Sequence, residues 1–408
     1  MEPSIDIPSR PEAPLPLPWP GARRRGDQYA IRCVFMRAGT SRGAFLREED
    51  LPKDPALREK LILAIYGSPD FRQIDGLGGA TSLTSKVAII GPSSRPDADV
   101  DYTFGQVRVN EARVDFRGNC GNISAGIGPF AIEEGFVDAV EGTTKVRIHL
   151  TNSRALLVAE VPVLKGGVCQ VVGDAVVAGV PGTGAPIILD WADVGGTLGR
   201  GLLPTGRARE TIDTAIGAVE VSIVDAGNVT AFVRPSVFGL TGAQLPAHRM
   251  DASLLERIEA VRGAVAERLE MVDAAANADA VTPTIPKLYI VDPPVDYHDS
   301  NGRLVRADDM DLLGRGMSMG TPHQAYAGTV AVCTGAAVGI PGSIVNEIAR
   351  PSCTGGGRLR IGHPTGILEM DAKVEADGRG FRLVRSAVMR TARRIMDGTV
   401  YVSSRHFD

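Results

Sequence analysis

Two stretches of this chain read as helices that are apolar on every side, and such a helix is stable only if it is buried on every side. The first runs through Gly118-Asn-Cys-Gly-Asn-Ile-Ser-Ala-Gly-Ile-Gly-Pro-Phe-Ala-Ile132. The second runs through Gly320-Thr-Pro-His-Gln-Ala-Tyr-Ala-Gly-Thr-Val-Ala-Val332. Each opens on a polar, turn-forming start and continues in small apolar residues. Small side chains let a surrounding sheet come close. The pattern therefore predicts two halves, each a sheet wrapped round a central helix. The two polar helix starts are the places for a site, because a helix N-terminus offers unpaired N–H groups and the positive end of its dipole.

The rest of the chain supplies the sheets. Ile31–Phe35, Val87–Ile90, Val100–Phe104, Lys145–Leu150, Leu156–Val163 and Leu288–Val291 read as short strands. Tight Gly turns between them favour an antiparallel or mixed sheet over a doubly wound one. Two surface helices are expected. One follows Asp54-Pro55 and stops at Gly67, and the other follows Asp251 with apolar residues at helical spacing to Leu269. Pro11–Pro20 and the basic triplet Arg23–Arg25 make residues 1–28 a disordered, partly polyproline leader by composition. A domain crossing is expected in the Gly- and Pro-rich stretch 179–206.

Composition narrows the function. The 44 basic and 48 acidic residues leave a net charge of −4, which argues against a general nucleic-acid binder but permits a local cationic pocket. Five cysteines, an odd number without CxxC spacing, point to a reducing, cytoplasmic setting rather than a disulfide or zinc framework. The stretch 324–346 carries no charge, but it is rich in Ala, Gly and Thr and is cut by Pro341-Gly342. It fits a helix inside a soluble domain better than a membrane span.

Few residues have a context that suggests chemistry. Cys120 stands at the mouth of the first buried helix among Gly and Asn, where free N–H groups can stabilise a thiolate. Packing is the alternative reading. Lys86 follows the loop Asp75–Ser85, rich in Gly, Ser and Thr, and precedes four apolar residues. Partial desolvation there would make a neutral amine available as a base, against a solvated lysine at a strand edge. Arg37 and Arg42 flank a Gly-Thr-Ser turn and can bind carboxylate. His323 lies near the second helix start, while His363-Pro364 reads as a turn. No histidine spacing supports a metal site, and no motif supports a nucleotide or a serine hydrolase.

Taken in order, MRAGTSRGAF, IDGLGGATSLTSKVAII, DVDYTFGQV, GNCGNISAGIGPFAIEEG, LLPTG, HPTGILE and RTARRIMDGTVYV resemble the PrpF family over about residues 31–402. That family holds 2-methylaconitate cis–trans isomerase, 3-methylitaconate isomerase and 4-oxalomesaconate tautomerase activities. The resemblance implies an α/β (α+β), diaminopimelate-epimerase-like fold of two similar halves, with the site in the cleft between them. It implies a first domain over 29–205, completed by a C-terminal strand at about 388–404, and a second over 206–387. It also implies catalysis without metal or nucleotide cofactor, on a small polycarboxylate; the charge balance and the composition of 324–346 already speak against a nucleic-acid or membrane partner. A homodimer is compatible with it. Ala38 and Arg42 depart from the family's usual Gly and Lys. If that glycine serves by adopting a positive φ, Ala38 would strain the turn.

The resemblance matches Lys86 and Cys120 to the catalytic pair. A proton beside a carboxylate is a very weak acid, so a base must take it, an acid must return it elsewhere on the allyl unit, and the enolate-like charge must be held. Asn119, Gly121 and Asn122 are expected to hold one carboxylate, Ser318, Gly320 and His323 another, and Ser41 with Arg37 a third. Gly78, Gly79, Ser82 and Ser85 of the loop are further expected contacts. Three segments, RQIDGLGGATSLTSKVAII, GVPGTGAPI and RTARRIMDGTVYV, favour 4-oxalomesaconate as substrate, whereas GMSMGTPHQAYAGT is closer to the methylaconitate and methylitaconate members. A polycarboxylate-binding accessory protein is the non-enzymatic alternative. An amino-acid epimerase is the weaker rival, because the second of its usual facing cysteines is missing.

Overall fold

The computed structural model describes residues 17–191, 195–245, 250–318, 320–378 and 380–407. Its strands form one long mixed sheet that curls twice, once round each apolar helix. The order of pairing repeats. In the first half, Gln28–Ala38 pairs antiparallel with Ser41–Arg47, which pairs parallel with Lys86–Pro92. The series continues antiparallel to Val100–Val107, parallel to Gly142–Leu150 and antiparallel to Ala155–Val163. In the second half, Gly217–Ala226, Asn228–Val233, Lys287–Asp292, Leu312–Ser318, Gly357–His363 and Gly366–Asp377 pair in the same alternation.

Each parallel step needs a crossover, and the helices supply it. Pro55–Tyr66 and Ala252–Arg268 serve the first crossover of each half. Asp54 and Asp251 cap them by accepting the N–H of Leu57 and Leu254, and Gly67 ends the first in the left-handed region, as the sequence predicts. The second crossovers are the apolar helices. Gly121–Ser124 and Ile127–Glu133 are almost wholly buried, and every residue of Gly328–Val338 is buried. Their small residues are required by the packing. A Cβ on Gly128 would lie 2.6 Å from Val161, and one on Gly335 would lie 2.7 Å from the Ala372 Cβ.

Two expectations are corrected. The second helix starts at Gly328 rather than near Gly320, because Thr321–Pro322 turns back to pair with Met317–Ser318. The leader reading does not hold for residues 17–28. Trp19 is buried against Tyr29 and Phe407, with ring centroids 5.3 and 5.5 Å away, and it donates to the Asp50 carbonyl. The triplet Arg23–Arg25 pairs as a strand with Gln28–Ala30. Residues 1–16 of the expected leader lie outside the described residues.

The C-terminal strand Ala392–Ser403 returns to pair antiparallel with Gln28–Ala38. Arg394 ties it to the first helix through Glu133 and Glu134, at 2.9 and 2.8 Å. Gly380–Arg390 pairs with both Gly366–Asp377 and Ile187–Asp190, and so joins the two halves edge to edge. No helix among the described residues is long and apolar enough to cross a membrane.

One glycine fixes the site strand. Gly43 lies opposite Lys86 in the ladder, and a Cβ there would sit 1.7 Å from the Lys86 carbonyl oxygen. That oxygen also accepts the buried Tyr66 hydroxyl. Gly43→Ala therefore has to displace the strand that carries Lys86. A destabilisation of about 3 kcal/mol is expected, at the high end for overpacking, with lost activity. Thermal unfolding measures it, and an unchanged melting temperature would contradict the register.

Candidate active site

The two apolar helices meet at their starts. A Cβ on Gly121 would lie 2.8 Å from the Gly328 Cα and from the Thr329 nitrogen, so only glycine lets the backbones come so close. By position, the first N–H groups of both helices lack intrahelical acceptors, and both starts lie at this junction. Asn119 and Asn228 latch it. The Asn119 N–H donates to Asn228 Oδ1, Asn228 Nδ2 donates to the Asn119 carbonyl and to Thr329 Oγ1, and Asn119 Nδ2 donates to the Gly227 carbonyl.

Beside this junction lies a buried cavity lined by Ser41, Lys86, Gln106, Cys120, Lys287 and His323, among others. Cys120 is the residue that caps the first helix, and its Sγ accepts the Ile123 N–H at 3.5 Å. Lys86 is 6% exposed at the head of its strand. Its Nζ donates to Gln106 Oε1 at 2.6 Å and lies 5.2 Å from the centre of the Phe104 ring. Gln106 is fixed in turn, because its Nε2 donates to the Ser82 and Ser85 carbonyls. Among the described residues, no carboxylate lies within 4.0 Å of Lys86 or Lys287. Ser41 Oγ is buried without a hydrogen-bond partner, so the cavity holds an open donor.

The structure brings Lys86, Cys120, Ser41, Asn119, Gly121, Asn122 and His323 to this cavity. It changes what several of them can do. Each asparagine amide already donates once, Asn119 Nδ2 to the Gly227 carbonyl and Asn122 Nδ2 to Thr40 Oγ1 at 3.1 Å, so both side chains are fixed in place with one N–H left to offer. His323 accepts the Ala325 N–H on Nδ1, and burial pulls its pKa down to about 3, so it stands neutral. Arg37 is not among the lining residues. It donates to the Gly39 and Thr391 carbonyls, which removes the third expected carboxylate pair. Gly78, Gly79 and Ser85 do not line the cavity either. Ser85 donates to Gln73 Oε1, and a Cβ on Gly78 would clash with that same side chain, so these residues shape the loop behind Lys86. Ser82 contributes its carbonyl to Gln106 instead of a contact in the cavity. Gly320 is exposed and away from the cavity, and the side chain of Ser318 lies outside what is described. Ala38 is not strained, since the left-handed residue is its neighbour Gly39, at φ 53°.

Lys287 is the main residue that the sequence reading missed. It heads a strand of apolar residues, as Lys86 does, and the repeated topology puts the two in equivalent places in the two halves. Burial, and then the like charge of Lys86, pull its pKa down to about 8. The position equivalent to Cys120, the residue before the second helix, is Ala327. Cys333 lies one and a half turns further on, where it donates to the Asn228 carbonyl. The facing pair of cysteines expected of an amino-acid epimerase is therefore absent from the junction. Among the described residues, no three His, Cys, Asp or Glu side chains cluster so as to hold a metal ion.

The geometry agrees with what the chain is similar to. A model of the PrpF protein family matches residues 28–403. The 3-methylitaconate isomerase of Eubacterium barkeri is 49% identical over 92% of this chain and 98% of its own length. The 4-oxalomesaconate tautomerase of Pseudomonas putida is 39% identical over 92% and 97%, and the 2-methyl-aconitate isomerase of Shewanella oneidensis 38% over 92% and 97%. The crystal structure of a methylitaconate-delta-isomerase superposes with a TM-score of 0.76 at 46% identity, covering 94% of this chain and 98% of that one. A hydroxyproline epimerase from Agrobacterium vitis, at 12% identity and a TM-score of 0.56, shares the α/β epimerase-like fold alone. With the family model matching residues 28–403 and named isomerases aligning over nine-tenths of its length, the chain belongs to the PrpF family and is an isomerase.

Proposed function

We propose that this enzyme moves an allylic proton within an unsaturated di- or tricarboxylate, using only its own side chains. The observation that carries the reading is the pairing of a buried amine, Lys86, with a thiol, Cys120, in one cavity where two helix starts meet. Lys86 takes the proton from the carbon beside a carboxylate. Cys120 returns a proton at the other end of the allyl unit, which shifts the double bond. The enolate-like charge between these steps is held by Lys287 and by the N–H groups at the helix starts, in a site where water cannot screen them. Ser41 Oγ donates to a substrate carboxylate. Gln106 holds the Lys86 amine toward the cavity.

Relatives of three named activities match the chain over nine-tenths of its length. The 49% identity to a 3-methylitaconate isomerase, against 39% to a 4-oxalomesaconate tautomerase, supports placing 3-methylitaconate ahead of 4-oxalomesaconate, the substrate favoured by the sequence segments. The purified enzyme, incubated separately with methylitaconate, 4-oxalomesaconate, 2-methylaconitate and aconitate and followed by proton NMR, is expected to isomerise methylitaconate fastest. If one of these binds tightly and none isomerises, the enzyme serves as a polycarboxylate binder instead. If 4-oxalomesaconate is the best substrate, the identity ranking is the wrong guide to specificity.

A further inference from the structure

Asn122 separates the Lys86–Cys120 cavity from a second, larger cleft of about 680 Å³ and lines both. The outer rim of this cleft is neutralised from within the protein, since Arg358 pairs with Glu369 and Arg360 with Asp311. Its interior is not. Arg390 is 4% exposed and lines the cleft, and among the described residues no carboxylate lies within 4.0 Å of it. Two other buried arginines differ, as Arg108 pairs with Glu111 and Arg262 with Glu259.

The neighbours of Arg390 make the imbalance greater. Arg390 Nε donates to Asn122 Oδ1 at 3.1 Å and Nη1 to the Met389 carbonyl at 2.8 Å, while Nη2 has no hydrogen-bond partner among the described residues. His363, which also lines the cleft, is kept neutral by burial and by the charges of Arg315 and Arg390. Arg315 is 1% exposed and likewise has no carboxylate partner among the described residues. A buried guanidinium with no counter-charge is costly, because desolvation is not repaid by any partner. A planar fork with a free edge is suited to a carboxylate above other anion-binding groups. The link to the catalytic cavity is direct, because the Asn122 amide that orients Arg390 stands two residues beyond Cys120.

We propose that Arg390 is the specificity-determining residue of this enzyme, binding through its free edge the substrate carboxylate farthest from the carbon that loses its proton. Asn122 is its positioning residue. The proposal rests on the isomerase reading above and deepens it: a monocarboxylate lacks the group Arg390 binds, so only di- and tricarboxylates are held in register.

Tricarballylate, a saturated tricarboxylate that cannot isomerise, probes the subsite without turnover, and butanoate is the single-carboxylate control. By calorimetry, Arg390→Met is expected to weaken tricarballylate binding about 100-fold and to leave butanoate binding unchanged. Arg390→Lys keeps the charge without the fork and is expected to weaken tricarballylate about tenfold. With the best substrate of the panel, KM rises about 100-fold in Arg390→Met while kcat changes less than tenfold, the signature of lost uniform binding. Tricarballylate binding as tight in both variants as in the wild type overturns the proposal, and so does a wild type that binds tricarballylate no better than butanoate. If Arg390→Met fails to fold, the Arg390→Lys comparison decides alone. Arg390-dependent tricarballylate binding in an enzyme that isomerises none of the panel would leave the subsite standing and remove the isomerase reading.

Discussion

Replacing Lys86 with methionine lowers turnover about a hundredfold or more while the protein stays folded. The size follows from the role, since a positioned general base typically contributes about 10²–10⁴-fold. Methionine fills nearly the same volume as the lysine stem, so the packing against Phe104 survives. The variant strands Gln106 Oε1, which now accepts from Lys86 at 2.6 Å. An unpaired buried acceptor costs about 1–3 kcal/mol, a loss a folded protein of this size can carry. Steady-state kinetics beside circular dichroism separate the two effects. Wild-type turnover in a folded Lys86→Met protein would remove Lys86 from the mechanism and leave it a packing residue.

Cys120→Ser is expected to cost about a hundredfold in kcat with little change in melting temperature. Serine is close to cysteine in size, and its hydroxyl can take over the cap by accepting the Ile123 N–H that Sγ now receives at 3.5 Å. It is a far weaker acid than a thiol, so the return of the proton slows. Cys120→Ala removes the proton donor and the cap together, so it is expected to lose activity at least as far and some stability as well. Activity lost at kept stability in Cys120→Ser is what distinguishes a catalytic thiol from a packing one. Full activity in both would assign the cysteine to packing alone.

How much of this was legible in the sequence depended on whether the signal was local. The two apolar helices and their sheet wrapping followed from the absence of a polar face. Cys120 followed from a helix mouth made of Gly and Asn, and Lys86 from a hydroxyl loop running into a buried strand. The second helix start was misplaced by eight residues, because Thr321–Pro322 is consumed in a hairpin that the turn residues alone do not distinguish from a cap. Lys287 had the same strand-head signal as Lys86, but the strand was read from Leu288, one residue beyond it, and no glycine- and hydroxyl-rich loop precedes it to draw notice. Arg390 had no local signal at all. It is one of five arginines among residues 382–394, and only the tertiary fold buries this one beside Asn122 while leaving Arg393 exposed. The asparagines show the converse failure. Their place at the helix mouth was right, but the partners that orient their amides come from residues far away in the chain, Gly227 for Asn119 and Thr40 for Asn122.

The central claim is that the enzyme itself transfers a proton at the allylic carbon, with Lys86 taking it. Proton NMR of the turnover reaction in D₂O tests this most directly, with the wild type and Lys86→Met run side by side on the preferred polycarboxylate. A lysine ammonium and a thiol both exchange with solvent, so the wild type is predicted to place deuterium at the carbon that gains the proton as the double bond moves. Lys86→Met is predicted to slow isomerisation and deuterium entry together. Isomerisation in Lys86→Met at the wild-type rate, with deuterium entering as before, would contradict the account.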